Sequence, residues 1–247
     1  MCGSTESRVA LVTGATRGIG KAIAQELARA GHTVIGTATS DAGAETITSH
    51  LSEWGGAGIR LDVSDSEAVK AAIAQIAKAH GAPTILVNNA GITRDNLVMR
   101  MKDEEWADVI GTNLNPLFTV SKACLRGMTK SRWGRIINIG SEVFHLGVTP
   151  FTAYVSAKGG QNGFNRSLAH ELAPWNITVN MIAPGWIPVE RHEKDPQELK
   201  DGYFASIPMQ RWGVPEDLAG TIIYLASEAS SFVTGQNIHV NGGTTVH

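Results

Sequence analysis

The chain has 247 residues, 43% of them hydrophobic and 18% charged, and a formal net charge of −2. This length suffices for one large α/β domain or two small ones, with a substantial core. The near-neutral charge gives no electrostatic footprint for nucleic acid or an anionic membrane. We therefore expect neither nucleic acid nor membrane as a partner.

The cysteines and histidines indicate neither disulfides nor a metal. The two cysteines, Cys2 and Cys124, do not form a disulfide framework, and the eight histidines are scattered without ligand spacing. Residues 1–7 are too short and polar for a signal peptide, and we expect them to be flexible. No apolar run reaches membrane-spanning length. These features favour a cytoplasmic protein without a structural metal.

Strand-like and helix-like segments alternate along the chain. The predicted strands are residues 9–13, 33–37, 57–62, 84–88, 135–139, 177–182 and 236–240. The predicted helices are residues 19–30, 41–51, 66–80, a long region 103–130, 152–172 and 215–227. Repeated βα units predict an α/β fold: a single Rossmann-like domain over residues 1–247, with a doubly wound parallel sheet of about seven strands and helices on both faces.

Residues 186–212 interrupt this alternation. Pro184 and Pro188 lie at the start of the interruption, and a charged run occupies residues 190–195. Long irregular segments after a strand of such a sheet often serve function, so we predict a mobile lid over the substrate site. A solvated surface excursion is the alternative.

A glycine-rich turn follows the first predicted strand. Residues 13–20 read Thr-Gly-Ala-Thr-Arg-Gly-Ile-Gly, which places glycine at 14, 18 and 20. Glycines let the backbone turn tightly and approach a pyrophosphate, and the helix that begins near Gly18 presents N–H groups and a positive dipole end to phosphates. A purely structural turn is the alternative, but the position after the first strand favours a dinucleotide site.

Charge at the end of the second strand predicts which cofactor binds. An NAD site usually has an acidic residue there, but the first carboxylate here is Asp41. Arg17, Thr16 and Thr39 can instead hold a 2′-phosphate, which favours NADP(H). The further contacts predicted in this part of the chain are Gly14, Ile19, Asp62, Val63, Asn89, Ala90 and Gly91.

Tyr154 and Lys158 are candidates for proton transfer. They are four residues apart, so on a helix they share one face. An ammonium beside a phenol favours the phenolate and lowers the tyrosine pKa, which makes the phenol a useful acid or base near neutral pH. Together with the glycine turn, the pair indicates a hydride-transfer enzyme.

In this order, the motifs resemble those of the short-chain dehydrogenase/reductase family over essentially the whole chain. Within that family, residues 34–40 and 91–102 are similar to the 3-oxoacyl-[acyl-carrier-protein] reductases of fatty acid synthesis. The matching pieces are residues 13–20, residues 88–91, Asn113, Ser141, Tyr154, Lys158, Pro184 and Gly185.

The resemblance implies a role for each of four catalytic residues. Tyr154 would donate a proton to the oxygen of a ketone that receives hydride from NADPH, and Ser141 would hydrogen-bond that oxygen. Lys158 would bind the nicotinamide ribose and lower the tyrosine pKa. Asn113 would hold a water in a proton relay that reaches Lys158. The bland alternatives are a strand-end cap for Ser141, a helix-bend residue for Asn113 and a solvated charge for Lys158.

The second half of the chain departs from that reductase pattern. The resemblance implies a threonine at the position of Val189, where its side chain would contact the nicotinamide carboxamide. Val189 cannot make that hydrogen bond, so the expected contact is the backbone near Ile187, after Pro184 and Gly185. Arg132 matches one of two carrier-docking arginines, but Trp175 replaces the other. The predicted substrate pocket consists of Glu142, His145 and Trp186; Glu142 and His145 either lie beside the substrate or face solvent.

Three functions remain open at this point. The first is an NADPH-dependent 3-oxoacyl thioester reductase with possible docking of acyl carrier protein through Arg132. The second is a short-chain reductase or dehydrogenase of a small polar carbonyl, sugar or polyol. The third is a non-catalytic NADP-sensing protein. The resemblance also implies a homotetramer built through helices 103–130 and 152–172 and the C-terminal strand.

Overall fold

Seven parallel strands form the centre of the computed structural model, which describes residues 7–193 and 195–246. Residues 1–6, which include Cys2 and belong to the segment 1–7 that was predicted to be flexible, lie outside the described residues. The sheet order is β3-β2-β1-β4-β5-β6-β7, with every neighbouring pair parallel. The strands are β1 Val9–Val12, β2 Thr33–Ala38, β3 Ala57–Arg60, β4 Ile85–Asn88, β5 Gly134–Ile139, β6 Ile177–Pro184 and β7 Asn237–Val240.

Helices cover both faces of the sheet, as predicted. They are α1 Gly18–Arg29, α2 Asp41–Leu51, α3 Ser66–Ala79, α4 Asp103–Asn113, α5 Asn115–Ser131, α6 Val143–Leu146, α7 Thr152–Leu172, α8 Gln197–Ala205 and α9 Ala219–Leu225. Buried side chains of α1, α2 and α9 pack on one face, and those of α3, α5 and α7 pack on the other. Successive side chains of β1 point to opposite faces of the sheet, so Val12 packs in the first core and Leu11 in the second.

The strand order reverses between β1 and β4. β1 pairs with β2 on one side and with β4 on the other, so the connections leave the carboxyl ends of β1 and β4 in opposite directions. Ligands of open α/β sheets bind in the crevice at such a switch point. The glycine turn follows β1 and Asn89 follows β4, so the fold brings both to this crevice.

A chain of buried amides crosses the sheet behind the site. Asn88 donates to Asn138 at 2.9 Å, Asn138 donates to Asn165 at 3.2 Å, and Asn165 donates to the carbonyl of Gln236 at 3.3 Å. Because each buried amide has a hydrogen-bonding partner, these polar groups connect β4, β5 and α7 without the cost of an unpaired group.

The predicted long helix 103–130 is wrong as a continuous element. It divides at Leu114 into α4 and α5, because Pro116 has no N–H to continue the ladder. The N–H of Leu117 bonds to Leu114 instead of Asn113, which leaves the carbonyl of Asn113 for another donor.

Other elements also differ from the sequence prediction. The short helix α6 was not predicted, residues 186–212 contain α8, and the last predicted helix begins as a 3-10 turn at Pro215–Leu218. The third strand ends at Arg60, two residues before Asp62. Among the described helices, none is long and apolar enough to cross a bilayer.

Candidate functional site

The glycine turn is fixed by hydrogen bonds between the ends of β1 and β4. The Thr13 hydroxyl accepts from the N–H groups of Asn89 and Ala90 at 2.9 and 3.0 Å. The Asn89 amide donates to the carbonyls of Thr13 and Gly14 at 2.9 and 3.0 Å. Asn89 therefore holds the turn, while its predicted contact with the adenosine ribose stays a prediction.

Two glycines of this turn cannot be replaced without strain. Gly18 has φ of +54°, in the left-handed region that L-residues rarely adopt. A Cβ at Gly20 would lie 2.1 Å from the carbonyl oxygen of Gly14, well inside the contact limit. The turn therefore brings bare backbone to the surface of the crevice, where a pyrophosphate can approach it.

The N-terminus of α1 is suited to an anion. The leading N–H groups of a helix have no intrahelical acceptor, and no side-chain cap satisfies them here, since the Arg17 side chain does not bond to them. With the twelve residues of α1 aligned behind them, these donors and the bare glycine cradle fit the phosphates of a dinucleotide.

The end of β2 has the charge arrangement expected for NADP(H). Arg17 and Thr39 are exposed beside the crevice, and Thr16 is half-buried. The carboxylate of Asp41 pairs with Arg60 at 3.1 Å, on the neighbouring strand. Arg17 and Thr39 are thus accessible to a 2′-phosphate.

Asp62, predicted to contact adenine, accepts from the N–H and hydroxyl of Ser64 at 2.9 and 2.7 Å, and Val63 is buried in the core.

Helix α7 places Tyr154 and Lys158 on one face. Lys158 is only 4% exposed, and its Nζ donates to the carbonyl of Ile139, at the end of β5, at 2.7 Å. The same Nζ lies 5.4 Å from the centre of the Tyr154 ring. The alternative of a solvated lysine is therefore wrong. Ser141 follows β5 on the adjoining loop, where its hydroxyl also accepts weakly from the N–H of Val143 at 3.4 Å.

Asn113 is the last residue of α4 and is fully buried. Its side chain accepts from the N–H of Ile92 and donates to the carbonyl of Ile92, both at 2.8 Å. Its own carbonyl accepts from Gln161 Nε2 at 2.6 Å, and Gln161 Oε1 accepts from Lys158 at 3.5 Å. Gln161 thus links Asn113 to Lys158. Sequence reasoning missed it, although its spacing of three from Lys158 places it on the same helix face.

The three predicted substrate-pocket residues have different environments. Glu142 is 1% exposed, so the solvent-facing alternative is wrong for it; its carboxylate accepts from Tyr203, Asn241 and Thr244. His145 is exposed, and its Nε2 lies 3.3 Å from Asn237 Nδ2. Trp186 is half-buried and lines a cavity, with no hydrogen-bonding partner for its Nε1. Contact of any of the three with substrate stays a prediction.

Residues of the lid segment 186–212 line an open cavity of about 750 Å³. Its walls combine aromatic and charged side chains from the lid itself: Trp186, Phe204, Trp212, Glu190, Glu193, Lys200 and Asp201. The aromatic rings of this segment pack against one another, but most of its described residues are exposed, so the alternative of a solvated surface excursion stays open. Mobility of the lid stays a prediction.

The segment Pro184 to Val189 leads from β6 to the lid. Pro184 and Ile187 are buried, and Val189 packs on Gly18 of the glycine turn. The N–H of Val189 donates to Nδ1 of His192 at 3.1 Å. Gly185 bonds through its N–H to the carbonyl of Val240 at 3.1 Å. The lid therefore begins in contact with the proposed pyrophosphate turn.

Within the described part of the chain, no cluster of three or more His, Cys, Asp or Glu is arranged to hold a metal.

The parallel sheet with its switch-point crevice, together with Ser141, Tyr154, Lys158 and Asn113, defines an oxidoreductase that uses a nicotinamide dinucleotide. Residues 14–245 match the family model described as "Enoyl-(Acyl carrier protein) reductase". The chain belongs to the short-chain dehydrogenase/reductase family.

Its similarity to curated relatives runs through both halves of the chain. It is 52% identical over 242 residues to the 3-oxoacyl-[acyl-carrier-protein] reductase of Pseudomonas aeruginosa, covering 97% of this chain and 98% of that protein. It is 48% identical over 238 residues to the reductase of the same name from Escherichia coli K12, covering 96% and 97%. A crystal structure from Agrobacterium tumefaciens described as a "putative gluconate dehydrogenase" superposes with a TM-score of 0.92 at 32% identity, covering 97% of each chain.

Proposed function

We propose that this enzyme reduces the ketone of a 3-oxoacyl thioester, with NADPH as hydride donor and Tyr154 as proton donor. The observation that carries the reductase chemistry is the buried ammonium of Lys158, held beside the Tyr154 ring by the end of β5. The substrate class is supported by relatives named 3-oxoacyl-[acyl-carrier-protein] reductase at 47–52% identity over nearly the whole chain.

When bound, NADPH supplies the hydride. Gly14, Gly18 and Gly20 would leave room for its pyrophosphate, Arg17 with Thr16 and Thr39 would take the 2′-phosphate, and Asp62 and residues 89–91 would flank the adenosine. Ile19 and Val63 would complete the predicted cofactor contacts. Pro184, Gly185 and Ile187 would lie at the nicotinamide end, and the backbone near Ile187 would be the remaining carboxamide partner.

The residues of the chain handle the proton and the developing negative charge. Tyr154 donates its proton to the oxygen of the ketone, and Ser141 donates a hydrogen bond to the same oxygen, which orients it. The phenolate that remains on Tyr154 is stabilised by the nearby ammonium of Lys158. Because the Ile139 carbonyl holds that ammonium in place, the arrangement is preorganised before the reaction.

Proton supply to Tyr154 would pass through Lys158 and the region of Asn113. The carbonyl of Asn113 is freed by the helix break at Leu114 and accepts from Gln161, which in turn accepts from Lys158. Gln161 therefore fixes the distance between the lysine and the end of α4. A water held near Asn113 would complete the connection to solvent.

Acyl carrier protein would dock through Arg132. This residue caps α5 in a left-handed conformation, and its Nη2 donates to the carbonyl of Pro174 at 3.2 Å. Its guanidinium lies 5.5 Å from the ring of Trp175, so the tryptophan at the second docking position orients the arginine. The surface supplies one oriented cation at this point for an acidic partner.

The proposal also includes a homotetramer and a cytoplasmic location. Trp106 of α4 and Phe118 of α5 are large apolar side chains that are 42% and 54% exposed, as expected where a second subunit packs. Cys124 is a buried free thiol, typical of a reducing compartment. Light scattering after size exclusion would measure the mass directly.

Reduction of a sugar or polyol-derived carbonyl is the second candidate. It is favoured by the structural likeness to the "putative gluconate dehydrogenase" and by the charged walls of the lid cavity. Glu142 supports this second candidate less than we expected from the sequence, because three donors already occupy its carboxylate.

Oxidation of NADPH at 340 nm separates the two candidates. Purified enzyme is given acetoacetyl-CoA in one series and a panel of ketoses, keto-acids of sugars and diketones in another. We expect saturable turnover of the thioester, with kcat/KM exceeding that of every ketose. Saturable turnover of ketoses alone would transfer the assignment to the second candidate.

A further inference from the structure

We infer that Glu142 is a positioning residue, which fixes the lid helix α8 and the C-terminal segment 241–245 against the loop that carries Ser141. Glu142 directly follows Ser141, and its N–H donates to the carbonyl of Pro184 at 3.1 Å. Its carboxylate accepts from the Tyr203 hydroxyl of α8, from Asn241 Nδ2 at 2.7 Å and from the Thr244 hydroxyl. One side chain therefore joins three segments that are far apart in sequence.

The Glu142 side chain is buried, and it takes part in none of the ion pairs between described side chains. A buried carboxyl group is tolerated only when its oxygens have hydrogen-bonding partners, and here three neutral donors supply them. Burial, and then the hydrogen bond to Glu142, raise the pKa of Tyr203, so this phenol stays protonated and donates. Tyr203 donates to Oε1 of Glu142, whereas Asn241 and Thr244 share Oε2.

Tyr203 transmits this anchoring to the lid cavity. Its hydroxyl accepts from the N–H of Trp186 at 2.7 Å. Its ring stacks on Trp212 with centroids 5.9 Å apart, and meets the edge of Trp186 at 5.3 Å. Trp186 and Trp212 are walls of the 750 Å³ cavity. The position of these walls therefore depends on the bond between Tyr203 and Glu142.

Gly185 makes the arrangement sterically accessible. A Cβ at this position would lie 2.8 Å from the Tyr203 hydroxyl and 3.0 Å from the Cα of Asn241. Only glycine lets α8 and the C-terminal segment approach the backbone after β6 so closely. Gly185, predicted as a cofactor contact, thus also leaves room for Tyr203 and Asn241 beside Glu142.

The expected kinetic consequence is on substrate affinity. Under the proposed function, the part of the substrate beyond the reacting carbonyl would lie against the walls of the lid cavity, so misplacing those walls would weaken binding more than it slows chemistry. This expectation rests on the proposed function for the identity of that substrate.

The test uses the full-length enzyme with Glu142→Gln, Tyr203→Phe and the double variant. We expect each single variant to raise KM for acetoacetyl-CoA about tenfold while kcat changes about threefold or less, and KM for NADPH to change least. The effect of the double variant should be less than the sum of the two single effects, because both substitutions disturb the contact between residues 142 and 203. Glu171→Gln and Tyr224→Phe, at an exposed glutamate of α7 and a half-exposed tyrosine of α9, are matched controls that should leave all constants unchanged.

Hydrogen exchange supplies a readout that does not depend on the substrate. Amides of residues 197–205 and 241–246 should exchange faster in both single variants than in the parent enzyme, and those of β1 should not. Unchanged exchange in both segments, or an unchanged KM in both variants, would overturn the inference. If Glu142→Gln does not fold, Tyr203→Phe and Thr244→Val carry the same comparison. If the parent enzyme turns over no thioester, the proposed function fails while the exchange experiment still decides the role of Glu142.

Discussion

The Nζ of Lys158 lies 5.4 Å from the centre of the Tyr154 ring and is anchored by a 2.7 Å bond to the carbonyl of Ile139. The two residues share one face of α7, and the anchor comes from the strand that precedes Ser141. Helix and strand together therefore fix a cation beside the proton donor, next to the loop that carries the second hydroxyl.

Removal of the Tyr154 hydroxyl should abolish most turnover. Tyr154→Phe keeps the ring and deletes the proton donor, so kcat should fall about 10²–10⁴-fold, while the Kd for NADPH stays nearly unchanged. Stopped-flow turnover and fluorescence titration with NADPH measure the two quantities. Loss of NADPH binding in this variant would contradict the assigned role. An unchanged physiological function would instead favour the NADP-sensing alternative.

Loss of Arg17 should discriminate between the two nicotinamide cofactors. Its guanidinium is exposed beside the N-terminus of α1, and the nearest carboxylate at the end of β2, Asp41, pairs with Arg60. Arg17→Ala should weaken the binding of NADPH by about tenfold or more, the order expected for a lost charge-assisted hydrogen bond, and should weaken the binding of NADH much less. Equal weakening of both cofactors would show that Arg17 does not contact the 2′-phosphate.

Arg132 should matter only when the substrate is attached to a carrier protein. Arg132→Ala should raise KM for acetoacetyl-[acyl-carrier-protein] several-fold, on the order of a partly exposed charge pair, and leave KM for acetoacetyl-CoA unchanged. Trp175→Arg, which adds a second cation, should lower KM for the carrier substrate. An equal effect of either change on both thioesters would place Arg132 outside the docking surface.

Tyr154, Lys158 and the glycine turn were accessible to sequence reasoning because their spacing is local. Tyr154 and Lys158 are one helical turn apart, and the glycine turn spans residues 13–20, whereas the roles of Ser141 and Asn113 came from the family resemblance alone. Lys158 is buried and the Asn113 side chain bonds to the backbone of Ile92 at the end of α4, so the alternative of a helix-bend residue stays open for Asn113 and the chemical roles of both residues stay predictions.

The anchor at Glu142 could not be found in this way. Its three donors lie 61, 99 and 102 residues later in the chain, and no local pattern connects them. The break between α4 and α5 was missed for another reason. The hydrophobic spacing continues through Leu114, so only the missing N–H of Pro116 marks the new helix.

His32 should make stability fall at mildly acidic pH. Burial, and then the charge of Arg8, lower the pKa of His32 from its ordinary value of 6.5, so folding favours the neutral imidazole. Its contribution to stability is therefore complete above pH 6.5 and is lost as the pH falls through the lower pKa of the folded protein. Between pH 8 and pH 5, the Tm should fall more for the parent enzyme than for His32→Gln.

A matched control for that comparison is His170→Gln, at an exposed histidine of α7. Its Tm should follow the pH dependence of the parent enzyme. Protein concentration must be held constant, because association contributes to Tm. Parallel curves for the parent enzyme and His32→Gln would show that His32 is not protonated differently in the folded and unfolded chains.

Transfer of a labelled hydride tests the central claim most directly. The enzyme is incubated with acetoacetyl-CoA and NADPH that carries two deuterium atoms at C4 of the nicotinamide, and the thioester is analysed by mass spectrometry. We predict 3-hydroxybutyryl-CoA with one deuterium at C3, formed by the parent enzyme and suppressed in Tyr154→Phe. Recovery of unchanged acetoacetyl-CoA, under conditions in which the same enzyme labels a ketose, would contradict the assignment of a 3-oxoacyl thioester reductase.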